Sequence, residues 1–220
     1  MRSLEHKFAV QMVDEVTLIV FVDESIAVTH ELVDLANTMA KASPKIKVEI
    51  EKVVEGKNQR MKDMKIENWP ALVLKKGDFT RIRYYGIPSG LELLPLVDAI
   101  AELSSMKTGL SPKGKELLSK VRRRANIKIF VLTTCHFCPI VARHAYRAAI
   151  ESPNVTAEII DSSVFLDLAV RHTVMGVPKI ILNDNTDITG AVDEIPFLEK
   201  LRDADHALLD SIYEIGRAHV

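Results

Sequence analysis

Ile127-Lys128-Ile129-Phe130-Val131-Leu132-Thr133-Thr134-Cys135-His136-Phe137-Cys138-Pro139 decides how this chain is read. The first six residues form a short run rich in β-branched side chains, which reads as a strand. A helix is predicted from about 139 to 151, with Val141, Ala145 and Ala148 on one face. Pro139 fits there because the first helical turn has no N–H partner to lose. Two cysteines three positions apart therefore stand between a strand and a helix start.

Working outward, Ser152-Pro153 ends the helix and 155–160 reads as a second strand. A short helix is predicted over 164–172. Gly176-Val177-Pro178 leads into a strand Lys179-Ile180-Ile181-Leu182, and Asn183-Asp184-Asn185 is a turn. A short strand reaches Gly190, and a last helix starts near Ile195. The first half follows the same order. Residues 16–22 are a strand, and 27–42 carry a helical pattern through Val28, Leu32, Leu35 and Met39. Ser43-Pro44 matches Ser152-Pro153, and Trp69-Pro70 precedes the strand Ala71-Leu72-Val73-Leu74 as Val177-Pro178 precedes its own. Lys75-Lys76-Gly77-Asp78 is a hairpin turn, Gly86 matches Gly190, and 91–103 is a closing helix. Several landmarks recurring in order indicate an internal repeat of roughly a hundred residues. The predicted units are 1–107, with no C-x-x-C, and 108–213. The linker falls over 104–114, and an extra helix over 116–125 opens the second unit.

The 220 residues carry a formal net charge of −1, which gives no general attraction to nucleic acid or an anionic membrane. Arg122-Arg123-Arg124 reads as the solvated end of a helix or a patch for an acidic partner. No stretch approaches the ~20 apolar residues of a membrane helix. The N-terminus lacks the apolar core of a signal peptide, so a cytoplasmic location is expected. Glu214-Ile215-Gly216-Arg217-Ala218-His219-Val220 reads as translated sequencing-adapter DNA and is set aside as a non-native tail. A secreted disulfide scaffold would spread more than two cysteines along the chain. Two thiols in one motif point to redox chemistry or to metal.

Strand, C-x-x-C, helix, then Pro before the third strand resembles the thioredoxin fold. In tandem, the units resemble the archaeal and bacterial protein disulfide oxidoreductases, also described as glutaredoxin-like. The chain is equally similar to the N-terminal region of the alkyl hydroperoxide reductase flavoprotein subunit. In that region the first unit lacks cysteines and the second carries Cys-His-x-Cys-Pro. Val174-Met175-Gly176-Val177-Pro178 and Arg83-Tyr84-Tyr85-Gly86-Ile87-Pro88-Ser89-Gly90 also match. The resemblance covers 8–213. It implies an α/β protein of two tandem thioredoxin-like folds, each a central mixed sheet flanked by helices. It departs from two-site relatives at Ser25-Ile26-Ala27-Val28, which takes the place of a first C-x-x-C. Thioredoxins also tend to keep a buried acid in the strand before the cysteines. The strand around Ile129 offers none, so proton transfer must use another group or water.

At the helix start Cys135 is expected to be exposed, facing unpaired N–H groups that stabilise its anion, and to act as nucleophile. Cys138, one turn further in, is expected to be the resolving thiol. His136 and Phe137 lie between them and tune the couple. A protonated His136 would favour the thiolate, and the alternative is that it simply points to solvent. Phe137 forms part of an apolar docking rim or covers the edge of the site. The resemblance implies a cis Val177–Pro178 peptide beside Cys135, where the Val177 backbone pairs with substrate. It also implies a protein disulfide as substrate, a peroxiredoxin among the candidates, and a thioredoxin-reductase-like flavoprotein as electron donor. No cofactor is expected in the chain itself, which has no G-x-G-x-x-G, P-loop or nucleophilic-serine motif. Two other readings stay open: a general disulfide oxidoreductase for folding clients, and a redox-inert module with metal at the C-x-x-C. Structural zinc needs four ligands, which only histidines such as His144 or His172 would complete.

Overall fold

The computed structural model describes residues 2–53 and 58–204. Helix α1 (Arg2–Gln11) comes first. β1 (Val16–Val22), α2 (Val28–Ala42), β2 (Ile46–Lys52), α3 (Gln59–Asp63), β3 (Ala71–Lys76), β4 (Phe79–Tyr85) and α4 (Leu93–Ser105) complete the first unit. A single 3-10 turn, Gly90–Glu92, leads into α4. After α5 (Pro112–Leu118), the order repeats as β5 (Ala125–Val131), α6 (Cys138–Glu151), β6 (Val155–Asp161), α7 (Leu166–Arg171), β7 (Lys179–Leu182) and β8 (Thr186–Thr189). A last helix, α8, covers 194–204.

The repeat is visible in the register. Val16 and Ala125, Ala42 and Glu151, and Ile46 and Val155 begin or end equivalent elements, each pair 109 residues apart. Within each unit the central strand pairs in parallel with the strand after its helix and antiparallel with the strand after the cis-proline. The hairpin partner closes each set. The two sets join where β4 pairs in parallel with β6, giving one sheet ordered β2-β1-β3-β4-β6-β5-β7-β8.

One face of this sheet is covered by helices of both units. Leu18, Val20 and Tyr84 share a continuous core with Ile127 and Ile129, under α1, α2, α4, α6 and α8. The opposite face, through Ile19, Phe21, Phe130 and Ile160, is covered over part of its length by the short α3 and α7. The alternation along β1 and β5 follows the two-residue period of a strand buried on both sides. Helix α4 of the first unit packs on α6 of the second, and the pairing carries ion pairs at Asp98–Arg143 and Glu102–Arg147.

Three expectations are corrected. The extra helix is α5 at Pro112–Leu118, not 116–125; Ser111 caps it with Pro112 at its start, and Ala125 already opens β5. The segment 104–114 is therefore not one linker, since it holds the end of α4 and the start of α5. The 109-residue offset also sets Ile26 and Thr29 opposite Cys135 and Cys138, one residue on from Ser25-Ile26-Ala27-Val28. Helix α1 has no counterpart among the expected elements; Phe8 and Met12 anchor it in the core. The 214–220 tail lies outside the described residues. Among the described residues no helix is long and apolar enough to cross a membrane.

Candidate active site

Strand β5 ends at Val131, and a tight turn follows in which the Cys135 N–H donates to Leu132 O at 3.0 Å. Helix α6 then starts at Cys138, with Pro139 in its first turn. The turn leaves the Cys135 sulfur half-exposed at the helix start, while Cys138 is fully buried. The Cys138 N–H donates to Cys135 Sγ at 3.2 Å. An N–H aimed at sulfur stabilises negative charge there, and the adjacent helix N-terminus acts in the same sense. Both cysteines are free thiols. Burial pushes the Cys138 thiol up, and the Cys135 sulfur and the Glu92 carboxylate push it the same way. The pair is therefore asymmetric: one accessible sulfur with a donor aimed at it, and one sequestered thiol that holds its proton.

The other wall is the loop before β7. Val177–Pro178 is cis, as is Trp69–Pro70 in the first unit. Cys135 Sγ lies 3.9 Å from Val177 O. Pro178 is buried and Val177 half-buried, so the backbone before the proline flanks the sulfur. His136 points into solvent, and Phe137 is 61% exposed. The structure thus brings Cys135, Cys138, Val177 and Pro178 together and leaves His136 and Phe137 on the rim.

The histidines considered as metal ligands lie elsewhere. The His144 ring packs on Phe197, and the His172 ring on Phe130. Among the described residues no three His, Cys, Asp or Glu side chains gather as a metal site.

Residue-by-residue reading of the sequence misses Glu92. It lies in the 3-10 turn of the first unit, is fully buried, and neither carboxylate oxygen has a partner among the described residues. The hydroxyls of Tyr84 and Tyr146 are likewise buried and unpartnered. Burial lifts the Glu92 carboxyl to about 7, with Arg143 pulling it down and Asp161 pushing it up. Its charge acts on Cys138, Tyr84 and Tyr146, all three of them buried.

The thioredoxin domain family matches residues 125–203. The chain is also similar to the solved structure of the alkylhydroperoxide reductase AhpF of Enterococcus faecalis. That likeness has 31% identity and a TM-score of 0.84, covering 91% of this chain and 96% of the other. The chain belongs to the tandem thioredoxin-fold disulfide oxidoreductases. A family relative of known structure is the protein disulfide oxidoreductase from Aeropyrum pernix, at 26% identity and TM-score 0.84 over 94% of this chain and 92% of that one. Among curated proteins, the F subunit of Staphylococcus aureus alkyl hydroperoxide reductase is 27% identical over 178 residues, and a Bacillus subtilis NADH dehydrogenase 23% identical over 174. The chain spans about a third of the length of these curated relatives.

Within this family the chain has a single thiol pair. At the equivalent place in the first unit, Ile26 and Thr29 stand where the second has Cys135 and Cys138. Thr29 is as buried as Cys138, but its hydroxyl donates to Asp23 O at 2.9 Å. The strand before the cysteines carries no acid, while Glu92 of the first unit is a buried carboxylate whose charge acts on Cys138.

Proposed function

We propose that the chain is a thiol–disulfide oxidoreductase working in the cytoplasm through the single Cys135/Cys138 couple. The observation that carries this reading is the Cys138 N–H donating to Cys135 Sγ, with Cys138 buried behind it. The Cys135 thiolate attacks one sulfur of a substrate disulfide, forming a mixed disulfide and releasing the other sulfur as a thiolate that takes up a proton. Cys138 then loses its proton, attacks Cys135 Sγ and breaks the mixed bond. The substrate leaves as a dithiol with two electrons, and the chain is left with a Cys135–Cys138 disulfide. Glu92 makes no hydrogen bond to Cys138, so with a carboxyl near 7 it would take the Cys138 proton through one bridging water. Val177 offers its backbone to an extended substrate beside the sulfur, and Phe137 and His136 border the approach.

In this reading an NAD(P)H-dependent flavoprotein, or a flavin domain of the same protein, reduces the couple, and a peroxiredoxin disulfide accepts the electrons. The similarity to the Enterococcus faecalis and Staphylococcus aureus alkyl hydroperoxide reductase proteins supports it. Residues 1–107 then act as a scaffold that lends Glu92, and 108–213 carry the chemistry. The likeness to the Aeropyrum pernix protein favours a second reading, general disulfide exchange on folding clients.

Insulin reduction tests the core of the proposal. Cys135→Ser should abolish it, and Cys138→Ser should trap a mixed disulfide. Full turnover in Cys135→Ser would end this assignment. Comparing reduction by a thioredoxin-reductase-like flavoprotein with refolding of a scrambled disulfide protein separates the two readings.

A further inference from the structure

Helices α4 and α6 come from different units but run side by side in the same direction. Asp98 pairs with Arg143, and four residues on in each helix Glu102 pairs with Arg147. One turn back along this ladder, toward both N-termini, Leu94 stands level with Pro139, the residue after Cys138. Three residues earlier, the Leu91 N–H donates to Thr133 O at 2.8 Å, two residues before Cys135. The first unit is thus hydrogen-bonded to the loop that carries the reactive sulfur and ion-paired to the helix that follows it.

Beside the exposed Ser89, Thr134 and His136, large apolar side chains are exposed there. Leu94 is 56% and Leu91 37% exposed. From the second unit, Phe137 and Ile140 are exposed on either side of Cys138, and Met175, two residues before Val177, is 91% exposed. Single exposed apolar residues are ordinary, but five from three chain segments around one reactive sulfur make a patch.

We propose that Leu91 and Leu94 form half of the docking surface for the protein partner, receiving an apolar flank of the segment that carries its disulfide. Continuity with Cys135 fixes the occupant. A mixed disulfide brings the partner's sulfur to about 2 Å from Cys135 Sγ, so the residues beside that sulfur must lie on this rim. The first unit, which has no thiols of its own, then helps select the partner. The proposal rests on the oxidoreductase reading above.

The test mixes reduced protein in single turnover with oxidised insulin and with oxidised glutathione. Glutathione is too small to span the rim. Leu94→Asn and Leu91→Asn are neutral changes at exposed positions, and thermal melts confirm the fold. Each should slow insulin reduction about tenfold and leave the glutathione rate at the wild-type value, because a lost apolar contact weakens docking and not the sulfur. Leu94→Met should restore the insulin rate. Val10→Asn, an exposed apolar position on α1, should change neither rate. Equal slowing with both disulfides, or no slowing with insulin, overturns the proposal. A wild-type protein that reduces neither disulfide points instead to failure of the oxidoreductase reading.

Discussion

Arg83 on β4 donates from Nη1 to Glu158 Oε1 on β6 at 2.6 Å, and the two residues are also direct register partners across the junction of the units. Both are almost fully buried, and Arg83 Nε has no partner among the described residues. A buried pair of this kind contributes little over an apolar pair of the same volume, but losing one member strands the other charge. Glu158→Ala should therefore destabilise the protein by about 3–5 kcal/mol in denaturant unfolding. The double change Arg83→Met with Glu158→Leu should recover most of that loss. A small effect of Glu158→Ala would mean that water or a rearranged Arg83 satisfies the charge.

Another contact between the units, Leu91 N–H to Thr133 O, depends on a glycine. Gly90 has φ +54, and a methyl group there would sit 2.6 Å from Thr133 O, the carbonyl that accepts the Leu91 N–H. Gly90→Ala should cost about 1–3 kcal/mol from the clash, beyond the left-handed penalty. It should also change the rate at which iodoacetamide alkylates Cys135, because the displaced segment leads directly into the thiol turn. Gly77→Ala is the matched control: φ is +55 and the space beyond is open, so only the conformational penalty remains.

Much of this fold is legible in the sequence because each unit's pattern is local. The bounds of β1 and β7 follow from short apolar runs between turn residues, and α6 from its apolar stripe after the cysteines. The join between the units is not legible. Arg83 and Glu158 are charged residues alternating with apolar ones, which reads as a solvent-facing edge. Only the pairing of two such edges turns them inward. Glu92 escapes for a related reason. An acid at the start of a helix reads as a first-turn charge facing water. The one local signal is its position in Leu91-Glu92-Leu93-Leu94, where nothing polar flanks it. Helix α5 starts ahead of its expected place because Ser111-Pro112, a cap followed by a first-turn proline, also has the composition of a linker.

His144, which the sequence leaves open to a surface or a satisfied core position, is half-buried, with both ring nitrogens buried and without a partner among the described residues. Burial holds its imidazole below the ordinary value of 6.5. The unfolded chain therefore takes up a proton below about pH 6.5 that the folded chain refuses, and stability is lost as pH falls through that value. His144→Phe removes this loss and two unsatisfied nitrogens. It should be neutral or about 1 kcal/mol stabilising at pH 7.5, with a larger advantage at pH 5.5. Melts of the reduced protein at the two pH values check it. An advantage that shrinks on acidification would show that the imidazole is protonated in the fold.

Glu92 gives the opposite slope. Its carboxyl is lifted from 4.5 to about 7 in the fold, so between those values the native state keeps a proton that the unfolded chain releases. Stability must then fall as pH rises across that window, by roughly 3 kcal/mol in all, since each unit is about 1.4 kcal/mol. Glu92→Gln stays neutral throughout. The variant should match wild type near pH 4, gain on it steadily up to about pH 7, and hold a constant lead above. The comparison with wild type cancels the contribution of His144, which both proteins share. The substitution should also cost activity, because an amide cannot accept the Cys138 proton. Resolution of the mixed disulfide at pH 7 should slow by about 10²-fold, with its first formation at Cys135 little changed. Acid-quenched time points that follow the mixed disulfide check this. A stability gain with no accumulation of that intermediate would leave Glu92 a buried charge with no part in the proton transfer.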